Sequence, residues 1–301
     1  MFSKTLPAQR PSVIALLAIV CTVGGSAQRG QEKPPQGKDV PGETLTADLV
    51  KTGLFLIAGG GGNTLLRFSA SGLILVDGKL PGNYRALMSQ VRRISKISDL
   101  PVRALILTDH HEEHAGNNRE FSAAKVGIIA QQNVTRNLMA SKSPPGKDAL
   151  PAVTYDHDYT VKLGGVEVRL MHFGSAHTNG DTVVYFPNLK VVAVGDLFAA
   201  TPDPDFAAGG SLVNWGPVLA QILNLDFDVV VPSSGPTVTR ADLEAFKGKI
   251  DTLVSRATEL VRKGVPKSQL MAQLKTDDLG WRFAFAGERL DRFYAELSRT
   301  K

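Results

Sequence analysis

The chain has 301 residues, of which 43% are hydrophobic and 21% charged, and this composition is ordinary for a globular protein with a sizeable core. The formal net charge of +5 is too small a bias to predict a nucleic-acid partner or an anionic membrane surface. The single cysteine, Cys21, excludes disulfide frameworks and multi-thiolate metal sites.

The N-terminus has the pattern of a secretory signal peptide. Lys4 and Arg10 precede the apolar run VIALLAIV, and small residues occupy positions 24–27. The run is short for a permanent span, although an N-terminal membrane anchor is the alternative. Cleavage after Ala27 would lower the net charge from +5 to +3. We therefore predict a signal peptide over residues 1–27, a secreted or periplasmic mature chain without stable membrane association, and a flexible linker over residues 28–46, which are polar and rich in Pro and Gly.

Residues 47–301 alternate between short apolar runs and amphipathic segments, and this order predicts two β-sheets with helices outside them. Strands are predicted at residues 53–58, 63–69, 73–77, 102–108, 126–130, 161–163, 166–171, 182–186, 191–194 and 229–231. Helices are predicted at residues 83–97, 118–124, 239–263 and 278–298, the last within a C-terminal helical extension of about 265–301. The Gly-rich run at 59–62 is predicted to be a hairpin turn, because no Gly-Lys-Ser/Thr follows it.

Three of the six histidines fall within the segment TDHHEEHAGNN at 108–118, directly after a predicted buried strand. The segments MHFGSAHTNGD and Gly195-Asp196 also follow predicted strands. Side chains at such strand ends face a crevice. Imidazole and carboxylate groups suit zinc, and oxygen-rich sets tolerate iron or manganese. Converging polar groups are costly to bury unless something satisfies them, so the sequence predicts a metal site here.

Other patterns in these segments favour structural roles. HHEEH at 110–114 matches an inverted zincin motif, but the neighbouring strand and glycine leave little room for the helix that this motif needs. We interpret His157 and His172 as structural, and we expect Asp181 to brace its turn. Trp215 either lines a pocket or packs on the surface.

The order of these motifs resembles the metallo-β-lactamase fold superfamily. That family's signature is Thr-His-x-His-x-Asp-His-x-Gly-Asn, then His-Thr-x-Gly-Asp, Gly-Asp, and a late His in Pro-Gly-His-Gly-Pro; this chain has TDHHEEHAGN, AHTNGD, VGD and VPSSGP. The opening hairpin, which ends at Asp77, is also similar, so the match spans about 47–264. The resemblance implies an α/β fold, a four-layer αββα sandwich of two mixed sheets with external helices.

Carried over to this sequence, the resemblance implies that His111 and His177 belong to a first metal position. His114 would belong to a second position, and Asp196 would bridge the two. Asp109 stands where the signature has its first His, and it would complete the first position as an anionic ligand.

Two further departures weaken the second position. Glu113 replaces an Asp, so it reaches further by one methylene, and Ser234 replaces the late His. The second position would then hold His114, Asp196 and Glu113, with one or two metal ions in total. Zinc is the predicted metal, with iron or manganese as alternatives.

The function implied is metal-dependent hydrolysis of a small-molecule substrate such as an ester, a thioester or a lactam. Glu113 and Asp196 would be catalytic, because they would orient the attacking water or accept its proton. A non-catalytic binding or scaffold protein on the same fold is the alternative, and an oxidative iron protein is a third possibility.

Overall fold

The computed structural model describes residues 44–96, 99–141, 144–281 and 284–299. The predicted signal peptide and the predicted linker as far as residue 43 lie outside the described residues. Within the described ranges, we find no helix that is both long enough and apolar enough to cross a membrane.

The first sheet has seven strands in chain order, and the last four of them run parallel. Its strands are β1 Thr46–Lys51, β2 Leu54–Ala58, β3 Thr64–Ser69, β4 Gly72–Val76, β5 Val102–Ile106, β6 Gly127–Gln131 and β7 Val153–Tyr155. The first four pair as antiparallel neighbours, so the sheet is mixed, as predicted.

The second sheet has six strands in the order β13-β12-β11-β10-β9-β8. Its strands are β8 Asp158–Leu163, β9 Val166–Met171, β10 Val183–Phe186, β11 Val191–Gly195, β12 Val229–Pro232 and β13 Val238–Thr239. Only β11 and β12 are parallel, because the chain between them crosses over through a helix.

Eight helices lie in the described ranges: α1 Tyr84–Ile94, α2 Glu112–Ala115, α3 Asn118–Ala123, α4 Gln132–Ala140, α5 Trp215–Ile222, α6 Arg240–Arg262, α7 Lys267–Gln273 and α8 Gly287–Arg299. Helix α6 starts with a capping box in which Thr239 and Asp242 satisfy each other's backbone N–H groups. Its apolar stripe, which includes Leu243, Phe246 and Ile250, is buried.

Three apolar clusters show how the layers stack. One cluster joins the inner faces of the two sheets, for example Ile74 and Ile106 with Val168 and Phe186. A second packs α1, α3 and α4 on the outer face of the first sheet, and a third packs α5, α6 and α8 on the second sheet. The molecule is therefore the four-layer αββα sandwich that the resemblance implied.

The structure also differs from the sequence expectations in its short elements. Strands β1, β7 and β13 and helices α2, α4 and α5 were not predicted, and α7 falls within the predicted helical extension without having been delimited. The predicted helix at 278–298 is wrong over its first half, because Asp277–Leu279 is a single 3-10 turn that ends at Gly280 with φ of 72°. The helix α8 begins only at Gly287.

Candidate metal centre

The polar segments singled out in the sequence meet where strands of the two sheets end side by side. Thr108, just past β5, accepts a hydrogen bond from the Thr182 amide at 2.7 Å. A Cβ on Gly195, the last residue of β11, would lie 2.8 Å from the Thr108 side chain, and its φ is 52°. This position therefore requires glycine, and the close approach brings the residues after β5, β9 and β11 together.

Four side chains, Asp109, His111, His177 and Asp196, form the first group. His111 Nδ1 lies 3.1 Å from Asp109 Oδ1 and 3.3 Å from His177 Nε2. His177 Nε2 lies 3.7 Å from Asp109 Oδ2 and 3.5 Å from Asp196 Oδ2. One potential ligand atom from each of the four residues lies within 4.8 Å of the other three.

Glu113, His114 and Asp196 form the second group, which shares Asp196 with the first. His114 is fully buried, and its Nε2 lies 3.1 Å from Asp196 Oδ2. Glu113 is half-buried. All six predicted ligands therefore belong to one of the two groups. Their role as ligands stays a prediction.

The late serine that touches the site is Ser233 and not Ser234. The Ser233 hydroxyl donates a short hydrogen bond to Asp196 Oδ1, and its amide donates to the Gly195 carbonyl at 3.0 Å. Ser234 is exposed. The sequence alignment with the family motif placed Ser234 at the ligand position, but the β12 backbone presents the preceding residue to Asp196.

Each histidine of the two groups has a partner for its outer nitrogen, the ring nitrogen that faces away from Asp196. His177 Nδ1–H donates to the Asp203 carbonyl at 2.8 Å. His111 Nε2 lies 3.3 Å from Asp205 Oδ2, and His114 Nδ1 lies 2.9 Å from Asp77 Oδ2. Such contacts select the tautomer and orientation of metal-binding imidazoles.

The spacing of the first group fits a small divalent cation. Zinc bonds of about 2.0–2.2 Å in tetrahedral geometry place neighbouring ligand atoms about 3.3–3.5 Å apart. The closest separations in the first group, measured to both Asp109 oxygens, range from 3.1 to 3.7 Å, and one ligand atom from each residue lies within 4.8 Å of the others. Two imidazoles with two carboxylates are also a donor set that zinc, iron and manganese accept, so the residues fit a metal.

The electrostatics of the groups favour positive charge at their centre. Burial opposes the charge of His114, but Asp109 and Asp77 outweigh it and raise the pKa of this imidazole well above its usual value. Burial also opposes the charge of His111, yet hydrogen bonds to Asp109 and Asp205 raise its pKa to about 10.

The carboxylates show the complementary effect. Burial alone would raise the pKa of Asp109, but His114 and His111 hold it well below its usual range. The hydrogen bond from His111 lowers the pKa of Asp205 to about 2. The carboxylates are therefore held ionised around a centre that attracts cations.

The remaining polar residues have structural roles or lie beside the groups. Asp181 is buried and accepts hydrogen bonds from the Thr178 amide and hydroxyl, so it braces the turn as predicted. His172 Nδ1 pairs with the Asp181 carbonyl at 2.8 Å, whereas His157 is exposed. His110 lies beside His111, with Nε2 3.9 Å from an Asp205 oxygen.

The inverted zincin motif is excluded, as expected, whereas the interpretation of Trp215 needs correction. A helix does form in HHEEH, but it begins at Glu112, so His110 lies outside it and the inverted zincin geometry is absent from this described segment. Trp215 is neither a surface nor a pocket residue: it is fully buried, donates to the Leu197 carbonyl at 3.0 Å, and lies edge-on to the His177 ring.

A cavity of about 360 Å³ opens next to the first group. Its lining includes His111 and His177, residues 203–207, and Arg289 and Arg292 of α8. Its volume is within the range of small-molecule sites. A molecule in this cavity would lie against two of the candidate metal ligands.

Sequence reasoning missed Asp205 and Ser233 and gave Asp77 no role. Asp77 ends the opening hairpin, and an acidic residue at the end of a buried strand was a usable signal for it. Asp205 lies in an irregular DPD segment 94 positions from His111, and no local pattern connects the two.

Comparison with known proteins gives the class. The sequence profile of the Metallo-beta-lactamase superfamily matches residues 57–234, which is more than half of the chain. The chain therefore belongs to the metallo-β-lactamase superfamily. The match ends before α6, so the C-terminal helices lie outside it.

Among relatives of known function, the chain is similar to the 2,4-dinitroanisole O-demethylase subunit alpha of Nocardioides sp. (strain JS1661). The two are 28% identical over 229 residues, which cover 74% of this chain and 67% of that protein.

Solved structures with the same fold include a metallo-beta-lactamase from Pontibacter korlensis, at 20% identity with a TM-score of 0.61 over 69% of this chain and 99% of that one. The DIM-1 metallo-beta-lactamase has a TM-score of 0.60 at 19% identity, over 70% of this chain and 99% of its own. These two likenesses show the fold.

Proposed function

We propose that this protein is a metal-dependent hydrolase that acts on a small molecule. The convergence of the first group carries the proposal: four donor atoms from three separate strand ends lie at spacings that fit one divalent cation. Asp109 is buried and the other three are half-buried, so a cation between them would offset the cost of removing these polar groups from water.

The residues divide into two positions. Asp109, His111 and His177 would hold the primary metal, and Asp196 would connect it to a second, weaker position with His114 and Glu113. Zinc suits this mixed set best, with iron or manganese as alternatives. A metal bound there would supply a Lewis acid and make water a better nucleophile near neutral pH.

The chain's own side chains would orient and deprotonate the attacking water. Asp196 is fixed from both sides, because Ser233 donates to one oxygen and His114 contacts the other. Glu113 lies in the same group and is half-buried, so its carboxylate can take up a proton and release it to solvent. The cavity beside His111 and His177 would bring the substrate to them.

The substrate classes to test are esters, thioesters, lactams and activated aryl ethers. The relative named 2,4-dinitroanisole O-demethylase subunit alpha supports the inclusion of aryl methyl ethers. We also propose, from the N-terminal pattern, that the mature protein acts in the periplasm or outside the cell.

One observation favours a second function, that of a non-catalytic binding or scaffold protein. With its pKa raised, a protonated His114 can form a buried ion-pair network with Asp77, Asp109 and Asp196. Such a network balances part of the buried charge without a metal.

Elemental analysis of untagged protein separates the two functions. We expect about one or two equivalents of zinc, iron or manganese in the wild type, as the two groups predict, and loss of metal in Asp109→Ala and His177→Ala. The control is His157→Ala, which removes an exposed histidine outside both groups. Turnover of any substrate in the panel should then require the metal. A wild type that stays metal-free after incubation with each of the three ions would favour the scaffold.

A further inference from the structure

The outer nitrogens of two candidate ligands depend on one short segment, residues 203–205. The Asp203 carbonyl accepts from His177 Nδ1, and the Asp205 carboxylate contacts His111 Nε2. The other Asp205 oxygen accepts from the amides of Ala207 and Ala208, at 2.9 and 3.2 Å, which fixes the plane of that carboxylate. The position of this segment therefore sets the orientation of both imidazoles.

The segment is irregular, and helix α8 holds it. Arg289 of α8 donates to the Asp203 carboxylate and, at 3.5 Å, to the Pro204 carbonyl. The same guanidinium lies over the Phe285 ring at 4.8 Å. Phe285 in turn packs edge-on against Phe206, directly after the segment, with ring centroids 5.3 Å apart.

We infer that Arg289 is a positioning residue of the metal centre and that α8 forms part of that centre. The guanidinium joins α8 to Asp203, whose carbonyl fixes the tautomer that leaves His177 Nε2 available to a metal. Arg289 lies 55 positions beyond residue 234, where the superfamily match ends. The inference rests on the proposed function insofar as the centre binds metal.

If Arg289 had a purely structural role, its loss would lower the stability of the protein without changing the metal affinity beyond that effect. The Arg289–Asp203 pair is a surface ion pair, with the two side chains 47% and 69% exposed. Such pairs contribute little to stability. Loss of Arg289 should therefore change the stability only slightly, and a loss of metal affinity beyond that of a similar surface pair would show that Arg289 acts on the centre.

The chain contains a matched control for this comparison. Arg256 of α6 makes a bidentate pair with Asp278, at 2.7 Å for both bonds, with exposures of 36% and 59%. Among the described contacts, none links this pair to the two metal groups. Arg256→Gln thus removes a similar ion pair without touching residues 203–205.

The test is competitive titration of the metal-free full-length protein with Zn²⁺ against a chromophoric chelator. We expect Arg289→Gln to weaken zinc binding by up to about 5-fold, the most that a surface ion pair contributes, with a thermal midpoint like that of Arg256→Gln. Arg289→Lys, which keeps the charge, should restore part of the affinity. Zinc affinity in Arg289→Gln equal to that in Arg256→Gln would overturn the inference.

A second measurement keeps the inference separate from the proposed function. Long-range ¹H–¹⁵N NMR spectra of the metal-free protein report which nitrogen of His177 carries the proton. The wild type and Arg256→Gln should show the Nδ1–H form alone, and Arg289→Gln a mixture of tautomers. If the wild type binds none of zinc, iron and manganese, the hydrolase proposal fails, yet these spectra still decide the role of Arg289. An unchanged His177 tautomer refutes that role.

Discussion

The substitution Asp77→Asn removes the negative charge next to His114 while keeping the shape of the side chain at position 77. Asp77 is 3% exposed and lies at the end of β4 with φ of 64°. Asparagine tolerates this left-handed conformation as well as aspartate does. The backbone should therefore not change, and the effect should come from the lost charge and the lost hydrogen bond.

Asp77 accepts from two N–H donors on opposite sides, and its Oδ2 also accepts from the Thr108 hydroxyl at 2.8 Å. Its Oδ1 accepts from the Thr108 amide at 2.8 Å, and its Oδ2 lies 2.9 Å from His114 Nδ1. An asparagine has one accepting oxygen, so in either orientation its NH₂ group faces one of these donors. A buried donor without an acceptor costs about 1–3 kcal/mol.

We therefore expect Asp77→Asn to destabilise the metal-free protein by about 2 kcal/mol, which corresponds to a fall of roughly 4–8 °C in thermal midpoint for a domain of this size. Zinc affinity at the second group should fall by about 10- to 100-fold, because the outer partner of His114 is lost. Urea unfolding and chelator competition measure the two effects.

Asp156→Asn is the matched control, because Asp156 also pairs with a histidine, His157, at 3.4 Å, but both side chains are exposed. It should change neither quantity. The reasoning that the Asp77 charge stabilises His114 would be refuted by two results for Asp77→Asn. Its free energy of unfolding would lie within about 0.5 kcal/mol of the wild type, the usual spread for surface substitutions, and its zinc affinity would be unchanged.

Three further predictions follow from the described contacts and the N-terminal pattern. Ser233→Ala should weaken zinc binding, because it removes the hydrogen bond that fixes Asp196. Ser234→Ala, at an exposed position, should leave zinc binding unchanged. Equal zinc affinities in the two variants would contradict the placement of Ser233. Lys79→Met should lower the free energy of unfolding in urea by about 2–4 kcal/mol. The fully buried Lys79 Nζ donates to two backbone carbonyls at 2.6 Å, and each carbonyl is costly to leave unpaired. A loss below about 1 kcal/mol would be inconsistent with this role. Mass spectrometry of the exported protein should give an N-terminus at Gln28, and an intact N-terminus would instead support the membrane anchor.

The fold was predictable because its main signals are local or belong to a family pattern. Periods of apolar residues located ten strands of the two sheets and the helix α6, and the motif order indicated the sandwich. The missed elements are short: β13 has two residues and α2 has four. Elements of this length carry too few residues for a period to be visible, and tertiary contacts decide them.

The centre was predictable only in part, for a similar reason. Asp109, His111, Glu113 and His114 stand in one segment, so the sequence displays them together. The residues that contact the outer nitrogens of the histidines come from distant parts of the chain. Asp77 contacts His114, and residues 203–205 contact His111 and His177. Only the folded chain shows that these segments meet.

Asp109, which stands where the family signature has its first His, bears on whether this centre can still bind a metal. Asp109 is 2% exposed, and its carboxylate faces His111, His114 and His177. A buried ionised carboxylate is costly without a counter-charge, and a neutral residue would avoid that cost in a centre that held no cation. An anionic ligand in place of a neutral histidine instead strengthens the attraction for a divalent ion. The aspartate is thus compatible with a cation at this centre, and the imidazoles of His111 and His114 supply a counter-charge to it in the metal-free protein.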